Sequence, residues 1–434
     1  MRGFYPRLVR FLFIKHLQGV FMKLTKLSLV AVAMAGLTTS SFAADTLADA
    51  FKNGSINGEL KAYYFDRAGS PNLSTATTEK INSDIFTTGI MLHYNTDAFY
   101  GLKFGTTIQT SSSPFADGAI GTPGTAKDDF KNEMYGSGAV LSEAYIEYTL
   151  DKTSVKVGRQ FINTPLVAGS PSRIILQSFE GAMITNTNLP QTTLAGGVIT
   201  KYQDRTDFTG DIADFQNLDS TLGANAYTLL AINKSITNTT LTAQWLGING
   251  NDTATGVGNF YYVEAAYANT LGEYRYGLAI NHEYKETEKL NEKDGKMYGA
   301  KVSIGYGDFN TYVAYSTITK DGDIKGNSMG GGLGGGTQTV FAKGLQNKPG
   351  TFTKDTDAYS VDANYLFKNI NFKLGARYTG VDDNANDKEY AYTDIYTTYT
   401  FVGALKGLST DIMYQDWGKD ANGHDFWFKA NYKF

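Results

Sequence analysis

The 434-residue chain has no Cys, 47 Gly, 29 Tyr, 26 Phe and only 8 Pro, with 39 basic against 43 acidic side chains and a net charge of -4. The missing Cys excludes a disulfide scaffold, a thiolate metal site and a Cys nucleophile, and 42% apolar residues exclude a disordered chain. Gly at 47 of 434 residues, about 11% against a usual ~7%, together with so many aromatics, predicts a large all-β protein.

The first element in chain order is a leader. Met22-Lys23-Leu24-Thr25-Lys26 is basic, Leu27 to Leu37 is apolar, and Ser41-Phe42-Ala43 is a small-x-small cleavage pattern. That order predicts a secretory signal peptide over 1–43, with 1–21 a spurious upstream extension. Its apolar core is too short to span a bilayer. Residues 1–43 hold six basic groups and no acid, so the exported chain carries 33 basic against 43 acidic groups, net -10. No basic patch remains for a nucleic-acid partner.

Beyond the leader the chain reads as strands. Alternating segments begin near Ser55, Asp84, Phe99, Val140, Thr153, Phe179, Gln191, Ala224, Thr239, Asn259, Glu273, Lys296, Asn310, Asp357, Ile370, Tyr392, Leu408 and His424. Tyr298, Ala300, Val302, Ile304 and Tyr306 alternate with Gly299, Lys301, Ser303 and Gly305, the period of two that sends one residue type to each sheet face. Tight turns such as Asp151-Lys152 and Lys368-Asn369 alternate with long stretches such as 113–139, 162–178, 203–223 and 320–356. Short turns on one rim and long loops on the other predict a transmembrane antiparallel β-barrel of 18 strands, 16 being the alternative, as a single domain over 44–434. Such a wall meets outer-membrane lipid on one face and water on the other, and closes because no strand edge is tolerated in a bilayer.

Residues 153–181 stand out. A strand ends, Pro165 and Pro171 stop ladder pairing, and Ile174-Ile175-Leu176 follows Arg173. A loop so apolar predicts burial against the inside of the barrel, where it narrows the pore. Further on, Gly330, Gly332 and Gly335 formally match a nucleotide-binding glycine pattern within 328–337, but no strand–helix unit surrounds them and a flexible loop is expected. The last strand puts Phe428, Tyr432 and the terminal Phe434 on one face, which resembles the signal read by the barrel-assembly machinery.

Catalytic patterns are absent from the sequence. His93, His282 and His424 have no metal-ligand spacing, and no Gly-x-Ser-x-Gly elbow occurs. No enzyme, metal or cofactor is predicted.

Val157-Gly158-Arg159-Gln160, Thr164-Pro165-Leu166 and the run Ser172 to Gly181 resemble the OprD-type family of outer-membrane porins from Gram-negative bacteria. Asp49 to Gly54 and the terminal Phe434 resemble it as well. The resemblance implies an 18-stranded barrel whose third external loop folds into the lumen, and passive diffusion of small hydrophilic solutes such as ions, amino acids and small carboxylates. The family's usual Leu-Leu-Pro after the Arg is here Ile174-Ile175-Leu176, without the Pro.

Alternation supplies the charges of the pore. Lys61, Arg67, Lys156, Arg275, Lys301, Lys373, Arg377 and Lys429 fall on the water-facing parity, and so do the acids Glu143, Glu147 and Asp362. Facing across a narrowed lumen, such charges create a transverse field that orients solutes. Arg173, Ser172, Glu180 and Arg159 are the expected constriction residues. Arg159 shares the lipid-facing parity of Val155 and Val157, which predicts a bulge or a place near the rim. A homotrimer is compatible with this reading. The alternative function is a structural or adhesive barrel whose long external loops bind a partner.

Overall fold

The computed structural model describes residues 44–69, 81–115, 126–218, 225–249, 258–287, 292–326, 331–346 and 351–434. The expected leader 1–43 and Ser328 to Gly330 of the glycine-rich stretch lie outside the described residues.

Two short helices, α1 (Leu47–Lys52) and α2 (Ala126–Met134), accompany a succession of strands. The first are β1 (Ser55–Gly69), β2 (Ile81–Asn95), β3 (Leu102–Ser111), β4 (Gly138–Leu150), β5 (Thr153–Gln160) and β6 (Ser178–Asn186). Then come β7 (Thr192–Gln203), β8 (Phe215–Asn217), β9 (Ala226–Asn233), β10 (Thr239–Ile248), β11 (Gly258–Leu271) and β12 (Tyr274–Thr287). The rest are β13 (Gly295–Tyr306), β14 (Phe309–Ile318), β15 (Thr356–Phe367), β16 (Phe372–Asp383), β17 (Lys388–Thr400), β18 (Leu408–Lys419) and β19 (Gly423–Lys433). Each pairs antiparallel with the next, except that β8 is a short strand laid on β7 while the wall continues from β7 to β9. With β8 outside it, the wall among the described residues has the 18 strands that the alternation predicts, and the 16-stranded alternative falls away.

The wall closes where β1 meets β19, in register from Glu59↔Lys433 to Gly69↔Gly423. Phe434 completes the seam. Its N–H donates to Gly58 O at 3.1 Å, and Gly58 N–H donates to Phe434 O at 3.0 Å. Two-residue hairpins at 272–273 and 307–308 are made possible by Gly272 and Gly307, at φ 59 and 52, the left-handed backbone that such turns demand. They lie on the rim that holds the C-terminus. The opposite rim carries the long connections 112–137, 161–177, 204–225 and 319–355.

The two faces differ in chemistry. In β12, Tyr276, Leu278 and Ile280 are exposed, whereas Asn281, Glu283 and Lys285 are buried. A closed wall has only an outside and an inside, so the exposed apolar parity is the lipid face and the buried polar parity the lumen face. Paired rings stand on the lipid face, Tyr274 with Tyr306 near the short-turn rim and Tyr261 with Tyr284 toward the other. The lumen face is buried because chain fills the barrel. Phe130 and Met134 of α2 join Ile174 and Ile175 against Tyr63, Phe65 and Trp427 of the wall. Leu166, Val167 and Leu333 join Phe179, Leu246 and Phe260 in a second cluster.

A Cβ added at Gly58 would sit 2.5 Å from Met91 O and 2.9 Å from the Phe434 ring, at the seam itself. Gly58→Val is expected to destabilise the barrel by roughly 1–3 kcal/mol. The shift would appear in the denaturant midpoint of the heat-modifiable band, and an unchanged midpoint would contradict this account of closure.

Candidate functional site

The lumen face carries the charges in partnered sets. Arg67 of β1 pairs with Asp425 of β19 at 2.7 Å and approaches Glu133 of α2 at 3.7 Å. Arg377 of β16 pairs with Asp362 of β15 at 3.0 Å, and the Tyr396 hydroxyl donates to the same carboxylate. Glu143 of β4 accepts from Thr107 at 2.6 Å and from Phe161 N–H at 3.1 Å, beside the His93 ring. Glu147 meets Lys156 at 3.8 Å. Arg275 donates to Asn310, Lys301 lies 4.8 Å from the Phe341 ring centre, and Lys373 lies 5.5 Å from that of Tyr396. All eleven charges expected in the lumen, Lys61 and Lys429 included, thus stand on the inward parity of their strands.

The 161–177 segment lies against this inner face. Its apolar side chains Ile162, Leu166, Val167, Ile174 and Ile175 are buried, and wall side chains satisfy its backbone. Lys61 donates to Ile174 O at 3.0 Å, Lys429 to Ser172 O at 2.7 Å, and Gln109 to Leu176 O at 2.8 Å. Gln244, on β10, accepts from Leu166 N–H at 2.9 Å. Strands β1, β3 and β19 hold one part of the segment and β10 another, so it is braced against separate parts of the wall.

Arg173 sits in the middle of these contacts. Its guanidinium pairs with Glu133 at 2.7 Å, and its centre lies 4.7 Å from the Trp427 ring and 5.6 Å from that of Phe65. Burial lowers its pKa to about 10, opposed by the Glu133 carboxylate, so it stays charged at neutral pH. Arg173 and Arg205 both donate to the Ser172 hydroxyl, at 3.2 and 3.3 Å. Two buried donors, Arg173 Nε and Trp427 Nε1, have no acceptor among the described residues. Lys429 lies 4.5 Å from the Trp427 ring centre. The group therefore offers positive charge and N–H donors around an aromatic wall. Trp427, Arg205 and Glu133 were missed in the sequence. Trp427 lies on the lumen parity of the last strand and could have been found there, whereas the other two sit in connections that carry no periodicity.

A second segment packs beside the first, contrary to the flexible loop expected from its glycines. Val167 and Leu333 form a parallel bridge, with Ala168 N–H donating to Leu333 O at 3.0 Å and Leu333 N–H to Leu166 O at 2.9 Å. Gly336 N–H donates to Ala168 O at 2.9 Å. The glycines are there for contact. A Cβ at Gly334, which has φ +92, would lie 2.4 Å from Ala168 O, and one at Gly336 would lie 2.4 Å from Gly169 O. Beyond them, Ser316 accepts from the N–H groups of Phe341 and Ala342, Asn281 donates to Thr339 O, and Leu345 N–H donates to Asp394. The described part of this connection is thus docked on the lumen wall.

Arg159 and Glu180 are a correction. Glu180 belongs to β6, not to the 161–177 segment, and shares the parity of the exposed Ile184. Arg159 pairs with it at 3.1 Å, Lys201 pairs with it at 3.0 Å, and the Arg159 guanidinium covers the Phe215 ring at 4.2 Å. This cluster is on the lipid-facing parity at the long-loop end of β5, apart from Arg173. Arg159 pairs in regular register with Ala144 and Glu180, so no bulge lies there, and its place near the long-loop end of β5 is the rim position that was the other expectation. Phe428, Tyr432 and Phe434 lie together on the outward parity of β19, with Tyr432 and Phe434 stacked at 6.2 Å.

Comparison with known proteins matches residues 53–415 to the family model described as outer membrane porin, OprD family. No curated protein matches the chain. Among solved structures, OpdK of Pseudomonas aeruginosa with vanillate is similar at a TM-score of 0.70 and 14% identity, covering 88% of this chain and 99% of that one. OccAB4 of Acinetobacter baumannii has a TM-score of 0.68 and 16% identity, covering 88% and 98%. A BenF-like porin from Pseudomonas fluorescens has 0.69 and 16%, covering 89% and 99%.

Gly334→Ala is expected to loosen the 331–346 segment from its neighbour, since a non-glycine residue in that backbone region costs about 1–2 kcal/mol before the contact with Ala168 O is counted. Hydrogen exchange at the Leu333 amide should rise at least several-fold. Equal protection in both proteins would mean that the glycine is not what permits the docking.

Proposed function

The chain belongs to the OprD family of outer membrane porins, and on that premise we propose that its pore selects small anionic solutes, carboxylates above all. It is a β-barrel channel of the outer membrane through which small solutes pass. The observation that carries the finer reading is the pair of buried donors without an acceptor, Arg173 Nε and Trp427 Nε1, beside Lys429, Lys61 and Arg205. A carboxylate that reached the Arg173 guanidinium would take charge-assisted hydrogen bonds from it, the strong kind. It would also take the Ser172 hydroxyl's place as acceptor for the two arginines. The Trp427, Phe65 and Tyr63 rings supply an apolar side for the rest of the solute. OpdK, similar in fold, was solved with vanillate, a carboxylate.

Ser172 and Arg173 are the constriction residues of this reading, held by the 161–177 segment. Partnering elsewhere matters as much. Arg67 and Arg377 are each bound to a carboxylate, so their charge is largely spent locally, whereas Lys429 is hydrogen-bonded to a neutral carbonyl. Arg173 and Lys61 of the same side have carboxylate neighbours as well, Glu133 at 2.7 Å and Glu59 at 3.6 Å. The leader 1–43 fits export of the chain, and the outward aromatic face ending in Phe434 fits recognition by the barrel-assembly machinery.

Two outcomes test this. Arg173→Ala should move the reversal potential in a salt gradient toward cation selectivity and slow liposome swelling by benzoate several-fold, with little change for a neutral sugar of similar size. Equal effects on both solutes would sink the anion reading. Phe434→Ala should lower the amount of heat-modifiable barrel in outer membranes at equal synthesis, and undiminished assembly would remove the terminal aromatic from that role.

A further inference from the structure

The lipid-facing wall is dented across β9 to β13. The dent is a groove of about 580 Å³, lined almost wholly by apolar atoms. Its geometry follows from register. One row of directly opposed outward residues runs Asn233, Leu241, Ala265, Ile280. The next runs Ala231, Ala243, Val263, His282, Tyr298. Ala231 faces Ala243 directly, so two neighbouring strands carry only methyl groups, while the exposed Leu229, Val263 and Ile280 stand up around them. Both rows are on the outward parity, so the groove opens to the membrane and not to the pore.

The groove has a direction. Asn233 is the last residue of β9, at the short-turn rim, with the 234–238 turn beside it. Ile280 lies mid-way along β12. The rows therefore climb from the rim near the chain terminus toward the middle of the wall. Five strands at about 4.8 Å spacing give a length of roughly 19 Å, against about 15 Å for half of a ~30 Å hydrocarbon core. The far end is closed by two flat rings. His282 stacks on Tyr298 with centres 4.5 Å apart, and its Nδ1 is fixed 2.8 Å from Met297 O. At the rim end, the turn supplies Lys234 and the polar Ser235 next to Asn233.

We propose that this groove binds one acyl chain of a glycerophospholipid from the leaflet on the short-turn side, with Lys234 meeting the phosphate. The occupant follows from the setting. The family places the wall in a bilayer, the groove is apolar along its length, it is about as long as one leaflet is deep, and the exposed Lys234 follows its rim-end residue Asn233 in the turn. A groove filled by a chain makes the dispersion contacts that an empty one forfeits, which gives a retained lipid an advantage over freely exchanging neighbours. The inference rests on the membrane position of the barrel and is independent of which solute the pore selects.

The test is native mass spectrometry of the full chain, extracted in mild detergent and then exposed to phosphatidylethanolamine. Wild type should keep one phospholipid per chain at collision energies that strip detergent. Ala243→Phe fills the groove from the outward parity and should lower that occupancy at least tenfold, while single-channel conductance stays unchanged. Ala231→Leu is the milder variant should Ala243→Phe fail to give a heat-modifiable barrel. Ala363→Phe, outward on β15 and away from the groove, should retain the lipid. Equal adducts in wild type and the filled variants, or none in wild type, would overturn the proposal. Loss of an oligomer on filling, with no lipid bound to the wild-type monomer, would overturn it in favour of a second copy of the chain.

Discussion

Closure of the wall is the constraint on which everything else rests. In hydrocarbon an unpaired backbone N–H or C=O has no water to turn to, so a sheet can cross only as a ring. Here the ring is completed by β1 on β19 and sealed by the mutual hydrogen bonds of Gly58 and Phe434. Once the ring closes, every strand has one face in lipid and one face inside, and the period of two in the sequence becomes a sorting of residues between two solvents. The exposed Leu, Ile, Val and Tyr side chains that would be a liability on a soluble protein are simply the lipid face.

The inner face has the opposite problem. Charged side chains packed beneath chain segments must be partnered, because burying a charge alone is expensive. The strand charges meet this largely among themselves, as Arg377 with Asp362 and Arg67 with Asp425 show. The inserted segments have no ladder of their own, so their backbone groups need the same side chains. Lys61, Lys429, Gln109 and Gln244 supply them. The polar lumen wall of the barrel is thus also the scaffold that holds the inserted segments, and a side chain on it has two tasks. The two inserted segments then support each other through the Val167–Leu333 bridge.

Much of this was legible in the sequence, and what was not has physical reasons. Strand starts, strand number and the lumen parity of Lys61, Arg67, Asp362, Arg377 and Lys429 follow from alternation, because β1, β15, β16 and β19 pair without a register shift. The parity of Arg159 was readable too, yet Arg159 was counted among the constriction residues, which its outward cluster with Glu180 and Lys201 corrects. Counting Glu180 as a constriction residue failed because a loop boundary has no periodic mark, and a single residue of offset decides which face a side chain takes. The glycines of 331–336 misled in another way. Lack of side chains usually signals a linker. Here it allows backbone to lie on backbone, and only the partner segment, distant in sequence, reveals the difference. Glu133, on a helix within a long connection, could not be tied to Arg67 and Arg173 before the fold brought all three together.

Partnering also decides which charges can act on a solute. A lumen rich in both signs could orient dipoles and still bind nothing, since each ion pair screens itself at short range. The β1–β19 side joins incomplete satisfaction to guanidinium groups and an aromatic wall. Glu133 is shared between Arg67 and Arg173, the Ser172 hydroxyl is shared between Arg173 and Arg205, and two N–H donors point at no acceptor among the described residues. Buried donors are rarely left so unless something visits them. A permanent carboxylate at that place would complete the network and block the path. On the proposed anion reading, a transient one would complete it only while it passes, lowering the barrier for entry and letting it leave again.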